Sequence, residues 1–164
     1  MEELRTQLID GFPLHTHLGL KLDEPDGAVA LLLPDDGPTR NHLGTQAAAS
    51  LFALADAASG IALIVGLRHH LSEFAGVVSQ ATMTFLHPAA GPITAVARSA
   101  VAPERIAQEL LGGGRISTDV ESTLTDVANE TVCQVTATWH LRPPSDRVPA
   151  LWRRHPASGA AGRP

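Results

Sequence analysis

Residues 45–67 read TQAAASLFALADAASGIALIVGL, and this stretch decides the fold. It is too long for a strand and apolar on all sides, which is typical of the central helix of a soluble protein. Asp56 is its only charged residue. Burying an unpaired charge is costly and Asp is a mediocre helix former, so the fold gains nothing from this residue. Asp56 therefore either serves chemistry or is tied to a partner.

Composition excludes several classes of protein. The chain has 164 residues, of which 44% are hydrophobic and 18% charged, enough for one domain with a core. A net charge of −5 and a single lysine exclude nonspecific nucleic-acid binding. The lone Cys133 excludes an internal disulfide and permits a reducing compartment. The N-terminus resembles no signal peptide, and Asp56 and Ser59 argue against a membrane span at 45–67. We expect a soluble, cytoplasmic protein.

The hydrophobic periodicity predicts a helix, two strands, the long helix and then four strands. The predicted short helices are 2–9 and Pro103–Leu111, and the predicted strands are 14–22, 28–33, 77–85, 93–101, 116–124 and 131–141. Thr45 is the expected N-cap of the long helix. This order predicts an α+β fold in which a curved antiparallel β-sheet wraps one long central helix. We expect a single domain over residues 1–142 and a disordered tail over 143–164.

The junction between loop and helix, RNHLGTQAAASLFALAD at 40–56, resembles the PaaI-like acyl-CoA thioesterases of the hotdog superfamily. The residues that match their motif in spacing are Asn41, Thr45, Leu51, Phe52, Leu54, Ala55 and Asp56. The run MTFLHPA at 83–89 is similar to a strand of that family. The resemblance covers about 14–141 and implies the hotdog fold. The family's His-Gly-Gly is replaced by 47–49, Ala-Ala-Ala, as in an uncharacterised branch of the superfamily.

The resemblance implies a role for three residues. Asp56 would act on the thioester as general base or nucleophile, and an apolar groove would raise its pKa toward neutrality. Asn41 would help to position the attacking water, and the amide of Ala48, at the helix N-terminus, would polarise the thioester carbonyl. Two alternatives stay open: Asp56 as a structural residue paired with a polar group of a partner chain, and Asn41 as a turn residue.

Five further residues are expected to contact substrate. Thr45, Ala49 and Phe52 belong to the motif region around the helix start. Ser79 lies on an apolar strand face expected to meet the helix, where relatives hold the catalytic water, although the alignment favours Val78 and a hydroxyl satisfied by backbone is the alternative. Arg68 follows the helix and could meet a CoA phosphate, or belong to a solvated loop.

The eight histidines show no metal-ligand spacing, so we expect no metal and no cofactor. By resemblance the partners are an acyl-CoA or acyl-carrier-protein substrate and a second copy of the chain. The homodimer, which a tetramer could extend, would form two sites, each with Asp56 from one chain and Asn41 or Ala48 from the other. The first hypothesis is a thioesterase, and the second is a non-catalytic module that binds acyl thioesters or fatty acyl groups. A hotdog dehydratase is a weaker third, since no histidine begins the central helix.

Overall fold

The computed structural model describes residues 6–23, 29–145, 150 and 152–153. Three α-helices occur in this part of the chain: α1 (Pro13–His17), α2 (Ala48–Leu67) and α3 (Pro103–Leu111). A π-helical turn, Thr6–Asp10, precedes α1, and a 3-10 turn, Gly37–Thr39, precedes α2. The strands are β1 (Lys21–Asp23), β2 (Ala30–Leu33), β3 (Glu73–Phe85), β4 (Ile93–Ser99), β5 (Ile116–Thr125), β6 (Thr131–Arg142) and β7 (Trp152–Arg153).

The strands form one antiparallel sheet in the order β1-β2-β4-β5-β6-β3-β7. The inner face of the sheet packs against α2, which contacts β2, β4, β5 and β6. The expected α+β fold, with one long helix wrapped by a curved antiparallel sheet, is therefore confirmed. Both elements bury their apolar faces against each other in two layers, which is the simplest way to build one core.

The alternation predicted for β5 and β6 is confirmed residue by residue. Val120, Leu124 and Leu141 are buried on the inner face, whereas Glu121 and His140 are exposed on the outer face. Ser122 is a polar residue on the inner face, and its hydroxyl donates a hydrogen bond of 3.2 Å to the carbonyl of Ala55 in α2. The sheet and the helix are thus joined by packing and by a buried hydrogen bond.

The strand predicted over 14–22 is wrong. The chain instead forms α1 at Pro13–His17, and only Lys21–Asp23 pairs with β2. Pro13 occupies the first turn of α1, where its missing N–H costs nothing, and a side-chain bond from His15 to the carbonyl of Leu8 ties the helix back to the preceding turn. The leucines at positions 14, 18, 20 and 22 matched the two-residue pattern of a strand. A five-residue helix is too short to show the 3.6-residue pattern that would have identified it.

Two other details differ from the sequence expectations. Thr45 is not the N-cap of α2, since Ala47 occupies that position and makes no side-chain cap. Strand β3 begins at Glu73 and carries a bulge between Val78 and Gln80. The bulge shifts the alternation by one residue, so the single continuous face predicted for 77–85 does not exist.

The predicted boundaries at 2–9 and 143–164 fall partly outside the described residues. Within the tail, Trp152–Arg153 pairs with Glu73 and Phe74 of β3. Disorder of the other tail residues from 146 onward, and the 1–142 domain boundary, stay predictions.

Helix α2 is long and apolar enough to cross a membrane by length and composition. It is nevertheless the core helix of the fold: Leu54, Leu63 and Leu67 are at most 2% exposed. Gly66 permits close packing with α3, because a Cβ there would lie 3.0 Å from the ring of Pro103. Burial on the sheet and against α3 explains the apolar composition without a bilayer.

Candidate functional site

One face of the first half of α2 is not covered by the sheet. Ala48, Ala49, Phe52 and Asp56 recur at helical spacing on this exposed face, and Phe52 is 41% exposed. Over this half, the helix is apolar on all sides but is buried in the single chain on only some of them. Asp56 lies at the end of a row of apolar side chains that are exposed to solvent in the single chain.

A cavity of about 110 Å³ adjoins Asp56. Its walls are mostly apolar and are formed by Phe12, His15, Ala57, Gly60, Ile61, Ile64 and Trp139. The carboxylate is accessible in the single chain, yet these neighbours already displace part of its hydration. The loss of hydration raises the pKa of Asp56 above its ordinary value, and the charge of His15 opposes the rise. Among the described residues, none hydrogen-bonds to the carboxylate or forms an ion pair with it.

His15 was not identified from the sequence, although it is the ionisable neighbour of Asp56. Its Nδ1 lies 2.9 Å from the carbonyl oxygen of Leu8, and its ring stacks on Phe12 at 4.7 Å between centroids. A carbonyl only accepts, so Nδ1 carries the hydrogen and Nε2 is left to accept or hold a second proton. No sequence signal pointed to this residue, because the segment was assigned to a strand.

A buried chain of hydrogen bonds fixes the backbone at Asp56. The indole Nε1 of Trp139 donates to the hydroxyl of Ser59 at 3.0 Å, and that hydroxyl donates to the carbonyl of Asp56 at 2.8 Å. Gly60 makes room for the indole, since a Cβ would meet the ring at 3.4 Å. Because both Ser59 and Trp139 are at most 6% exposed, this chain holds the helix turn that carries the carboxylate in one position.

Asn41 is held by hydrogen bonds within its own loop. Its amide nitrogen donates to the hydroxyl of Thr45 at 2.9 Å and to the carbonyl of Gln46 at 3.3 Å. Its amide oxygen accepts from the backbone N–H groups of Leu43 and Thr45 at 2.8 and 3.2 Å. Both donors and both acceptor positions are used within the loop. This geometry is that of a turn residue, the alternative left open above, and Thr45 is one of its partners.

Gln46 was also missed by sequence reasoning. It is 3% exposed, and its amide nitrogen donates to the carbonyls of Pro34 and Gly91, both at 3.1 Å. It thereby fixes the start of α2 against two other loops. Gln46 borders a second cavity of about 360 Å³, which is also lined by Asn41, Leu43, Thr45, Ala48, Leu51, Phe85, Leu86, His87, Pro88 and Ala89.

The start of α2 borders this second cavity, which is lined in part by Ala48. Ala47 has no side-chain oxygen to cap the helix, and within the described chain no acceptor pairs with the N–H of Ala48 or Ala49. Free N–H groups and the helix dipole favour an anionic oxygen at this position. Both alanines are exposed, so a ligand can approach them.

The single chain does not bring Asp56 and Ala48 into one cavity. Eight residues of helix separate them, about 12 Å at the usual rise per residue. Beside them β3 has an open edge: of the described residues, only those of β7 pair with this edge, at Glu73 and Phe74. Val77 and Phe85 on β3 are 54% and 53% exposed. An open strand edge with exposed apolar residues is typical of an interface.

Ser79 and Arg68 are not at these cavities. Ser79 lies at the β3 bulge, is exposed, and donates to the carbonyl of Thr138 at 3.3 Å. The placement expected for it, on a face meeting the helix, is wrong because the bulge turns the side chain outward. Arg68 follows the C-terminal end of α2 and donates from Nε to Nε2 of His69 at 3.1 Å. It lies at the opposite end of the helix from Ala48.

A metal centre has no basis in this geometry. Over residues 6–23, 29–145, 150 and 152–153, no three His, Cys, Asp or Glu side chains cluster in a way that could hold a metal ion. The polar groups at the two cavities beside α2 include the carboxylate of Asp56, the imidazoles of His15 and His87 and the free N–H of Ala48.

Solved structures with the same fold include several thioesterases. A Pseudomonas aeruginosa protein described as of unknown function and a probable thioesterase is 30% identical, with a TM-score of 0.73 over 86% of this chain and 94% of that one. The Escherichia coli PaaI protein from the phenylacetic acid degradation operon is 18% identical, with a TM-score of 0.64 over 84% and 90%. A Haemophilus influenzae thioesterase is also 18% identical, with a TM-score of 0.65 over 84% and 87%.

None of the curated proteins is similar to this chain in sequence. The hotdog fold of the thioesterase superfamily, predicted from the motif at 40–56, is confirmed by the structural relatives. A family model described as a domain of unknown function, DUF4442, matches residues 22–141. This match spans most of the sheet together with the whole of α2, and the chain therefore belongs to the DUF4442 family.

Proposed function

We propose that this protein is a thioesterase that hydrolyses acyl thioesters of coenzyme A or of an acyl-carrier protein, with Asp56 as the reacting carboxylate. The observation that carries the proposal is the state of Asp56: a carboxylate of raised pKa beside an apolar cavity, without a hydrogen-bond or ion-pair partner in the described chain. A structural carboxylate is normally satisfied by partners, whereas one kept for a substrate is not. The thioesterase relatives support the same reaction class.

The proposed chemistry needs one proton acceptor and one site for a developing oxyanion. As general base, Asp56 takes a proton from water while the water oxygen attacks the thioester carbonyl carbon. The carbonyl oxygen becomes negative, and the tetrahedral intermediate then collapses with loss of the thiolate, which is protonated to the free thiol. As nucleophile, the carboxylate oxygen instead attacks the carbon directly, and water hydrolyses the resulting anhydride. Either path gives one carboxylic acid and one thiol.

We propose that the oxyanion is bound by the free N–H of Ala48 from a second subunit. The open edge of β3, the exposed Phe52 and Phe85, and the distance along α2 between Ala48 and Asp56 support a homodimer with two shared sites. Ala49 and Phe52 would then line the acyl group at the interface. Asn41 and Thr45 contribute by holding the loop that presents Ala48, and not by direct contact with water. Contact of Arg68 with a CoA phosphate, a tetramer of such dimers and a cytoplasmic location stay predictions.

The second candidate is a non-catalytic module that binds acyl thioesters. The side chains at 47–49 favour it: in place of the His-Gly-Gly of related enzymes, the methyl groups of Ala48 and Ala49 narrow the approach to the helix N-terminus, and Ala47 lacks the imidazole that would pack there or orient the substrate. Such a module would bind acyl-CoA with Asp56 ionised and release no thiol.

Thiol release from short-chain, long-chain and aromatic acyl-CoAs tests the proposal. Asp56→Asn keeps the side-chain size and removes the base, so kcat/KM should fall about 10²-fold to 10⁴-fold. Asp119→Asn, on the outer face of the sheet, is the matched control and should keep full activity. Saturable binding by wild type without any thiol release would favour the module, and unchanged activity in Asp56→Asn would remove this carboxylate from the mechanism.

The two chemical paths differ in where labelled oxygen enters. During turnover in H₂¹⁸O, a general base leaves the carboxylate of Asp56 unlabelled, because water attacks the substrate. A nucleophile places label in the Asp56 side chain when water attacks its carbonyl, or in the product when water attacks the acyl carbon. Mass spectrometry of the peptide containing Asp56, after repeated turnovers, detects label in its side chain and so identifies a nucleophile whose anhydride is opened at the Asp56 carbonyl.

A further inference from the structure

The outer face of the sheet has a cavity that the proposed hydrolysis does not use. It has a volume of about 490 Å³ and lies where the ends of β3, β5 and β6 meet. Val77, Ser117 and His140 face outward there, on the side of the sheet opposite α2. This volume is within the range of sites that bind small organic ligands.

Two arginines border the same cavity. Arg115 directly precedes β5, whose first residue Ile116 pairs with Leu141, and Arg142 follows Leu141 at the end of β6, so both arginines lie at the same end of two neighbouring strands. Like charges that border one cavity repel each other. In the described chain neither guanidinium has a carboxylate within ion-pair distance, and the polar bond of Arg142 is to the hydroxyl of Ser145 at 3.3 Å. An anion between the two guanidiniums would relieve this repulsion.

The next row of the same face adds further hydrogen-bonding groups. The hydroxyl of Ser117 lies 2.5 Å from Nδ1 of His140, so the two side chains form one unit that can donate to an oxygen in the cavity. One row further on, Asp119 accepts a bond of 2.6 Å from the hydroxyl of Thr138 and does not line the cavity. The positive end is therefore confined to Arg115 and Arg142, and the other walls, Ala75, Gly76, Val77, Ile116 and Leu141, are apolar.

We propose that this outer cavity, bordered by Arg115 and Arg142, binds a small organic phosphate monoester with its phosphate between the guanidiniums and its apolar body over Val77. Two guanidinium groups match the two charges and three terminal oxygens of a phosphate monoester better than the single charge of a carboxylate. The site lies on the opposite side of the sheet from Asp56. It therefore stands whether or not the chain hydrolyses thioesters.

Isothermal titration calorimetry with adenosine 5′-monophosphate (AMP) as the probe tests the site in the full-length protein. AMP should bind saturably, and adenosine, which lacks the phosphate, at least tenfold more weakly. Octanoate, an apolar body with a single carboxylate, should also bind at least tenfold more weakly. Equal affinity for adenosine and AMP, tighter binding of octanoate, or no heat of AMP binding at millimolar concentration would overturn the proposal.

Charge-matched variants locate the bound probe. The double variant Arg115→Gln/Arg142→Gln should lose at least tenfold in AMP affinity, whereas Arg98→Gln should stay within twofold of wild type. Arg98 is an exposed outer-face arginine on β4 whose cross-strand neighbour is Glu121, so it controls for net charge. Loss of affinity in Arg98→Gln equal to that in the double variant, or retained affinity in the double variant, would place the anion elsewhere and refute the site.

Thermal unfolding without ligand gives a readout that does not depend on the choice of probe. Each single variant, Arg115→Gln or Arg142→Gln, should raise Tm because it removes the repulsion between the two guanidiniums. Arg98→Gln should lower Tm slightly or leave it unchanged, since it removes an attractive neighbour. A fall in Tm for both single variants would show that the arginines do not oppose each other and would contradict the proposed anion site.

Discussion

The loop at 41–46 and the exposed face of α2 differ in whether their polar groups have hydrogen-bond partners. In the loop, all four hydrogen-bonding positions of the Asn41 amide are used, and Thr45 is one of its partners. On the helix face, the described chain pairs neither the N–H of Ala48 nor the carboxylate of Asp56. Satisfied groups build the fold and unsatisfied ones remain for a ligand. Asn41 and Asp56 belong to one sequence motif, but the side chain of Asn41 is fully hydrogen-bonded whereas that of Asp56 has no partner in the described chain.

Apart from the loss of Asp56 itself, the largest expected fall in kcat/KM follows removal of the free N–H at the helix start. Ala48→Pro removes only this N–H, because proline is favoured at the first helical position and Ala47 already has the extended conformation that proline requires before it, with φ −69° and ψ 143°. We expect kcat/KM for acyl-CoA to fall about 10²-fold to 10³-fold with Tm nearly unchanged. Ala53→Ser, in the same helix, is the control. Full activity in Ala48→Pro would remove the oxyanion role of this N–H.

The second expected effect is a loss of stability when the loop at 41–46 is changed. Asn41→Ala removes four hydrogen bonds, so the free energy of unfolding should fall by about 2–3 kcal/mol, as measured by urea denaturation. Leu43→Ala, at a side chain that is 74% exposed in the same loop, should change it by less than about 0.5 kcal/mol. A large loss of kcat in Asn41→Ala with unchanged stability would instead return Asn41 to the chemical step.

The pH profile shows the influence of His15 on Asp56. The ionised carboxylate is the active form, so kcat/KM should fall on the acid side as pH drops through the raised pKa of Asp56. His15→Gln removes the charge that opposes this rise, and the acid limb should move upward by less than about one pH unit. His17→Gln, on the same short helix but away from the cavity, should leave the limb in place. An acid limb that does not move would show that His15 is electrostatically unimportant.

The smallest expected effect is on stability. Burial raises the pKa of Asp56 in the folded chain, so the folded state favours the protonated form and ionisation of Asp56 destabilises it. Asp56→Asn should therefore raise the free energy of unfolding at neutral pH, by less than about 1 kcal/mol for a partly exposed group. The gain should disappear below the unfolded-state pKa of an aspartate, where both forms are neutral. A loss of stability at neutral pH would mean that the carboxylate has a structural partner.

Much of the fold was predictable because long elements show their period clearly. Helix α2 and strands β5 and β6 each extend over enough residues for the 3.6-residue or two-residue pattern to be unambiguous. The five-residue α1 and the bulge in β3 were not predictable in this way. A short helix has no measurable period, and a single inserted residue reverses the alternation without leaving a signal in composition.

The site was predictable only in part, for a similar reason. Asp56 is conspicuous because it is a charge in an apolar helix, and Ala48 is indicated only by the resemblance of the motif at 40–56 to the thioesterase family. His15, Trp139 and Gln46 reach their positions through contacts distant in sequence, so local patterns cannot identify them. Ser79 was placed on the wrong face because the prediction assumed an uninterrupted strand.

Activity of mixed dimers tests the shared site most directly. When Asp56→Asn and Ala48→Pro chains carrying different affinity tags are refolded together and the mixed dimer is isolated, one of its two sites combines the intact Asp56 with the intact Ala48 from opposite chains. We predict about half of the wild-type thiol-release rate per dimer, although each variant alone is nearly inactive. A mixed dimer as inactive as its two parents would mean that both groups act within one chain and would contradict the account.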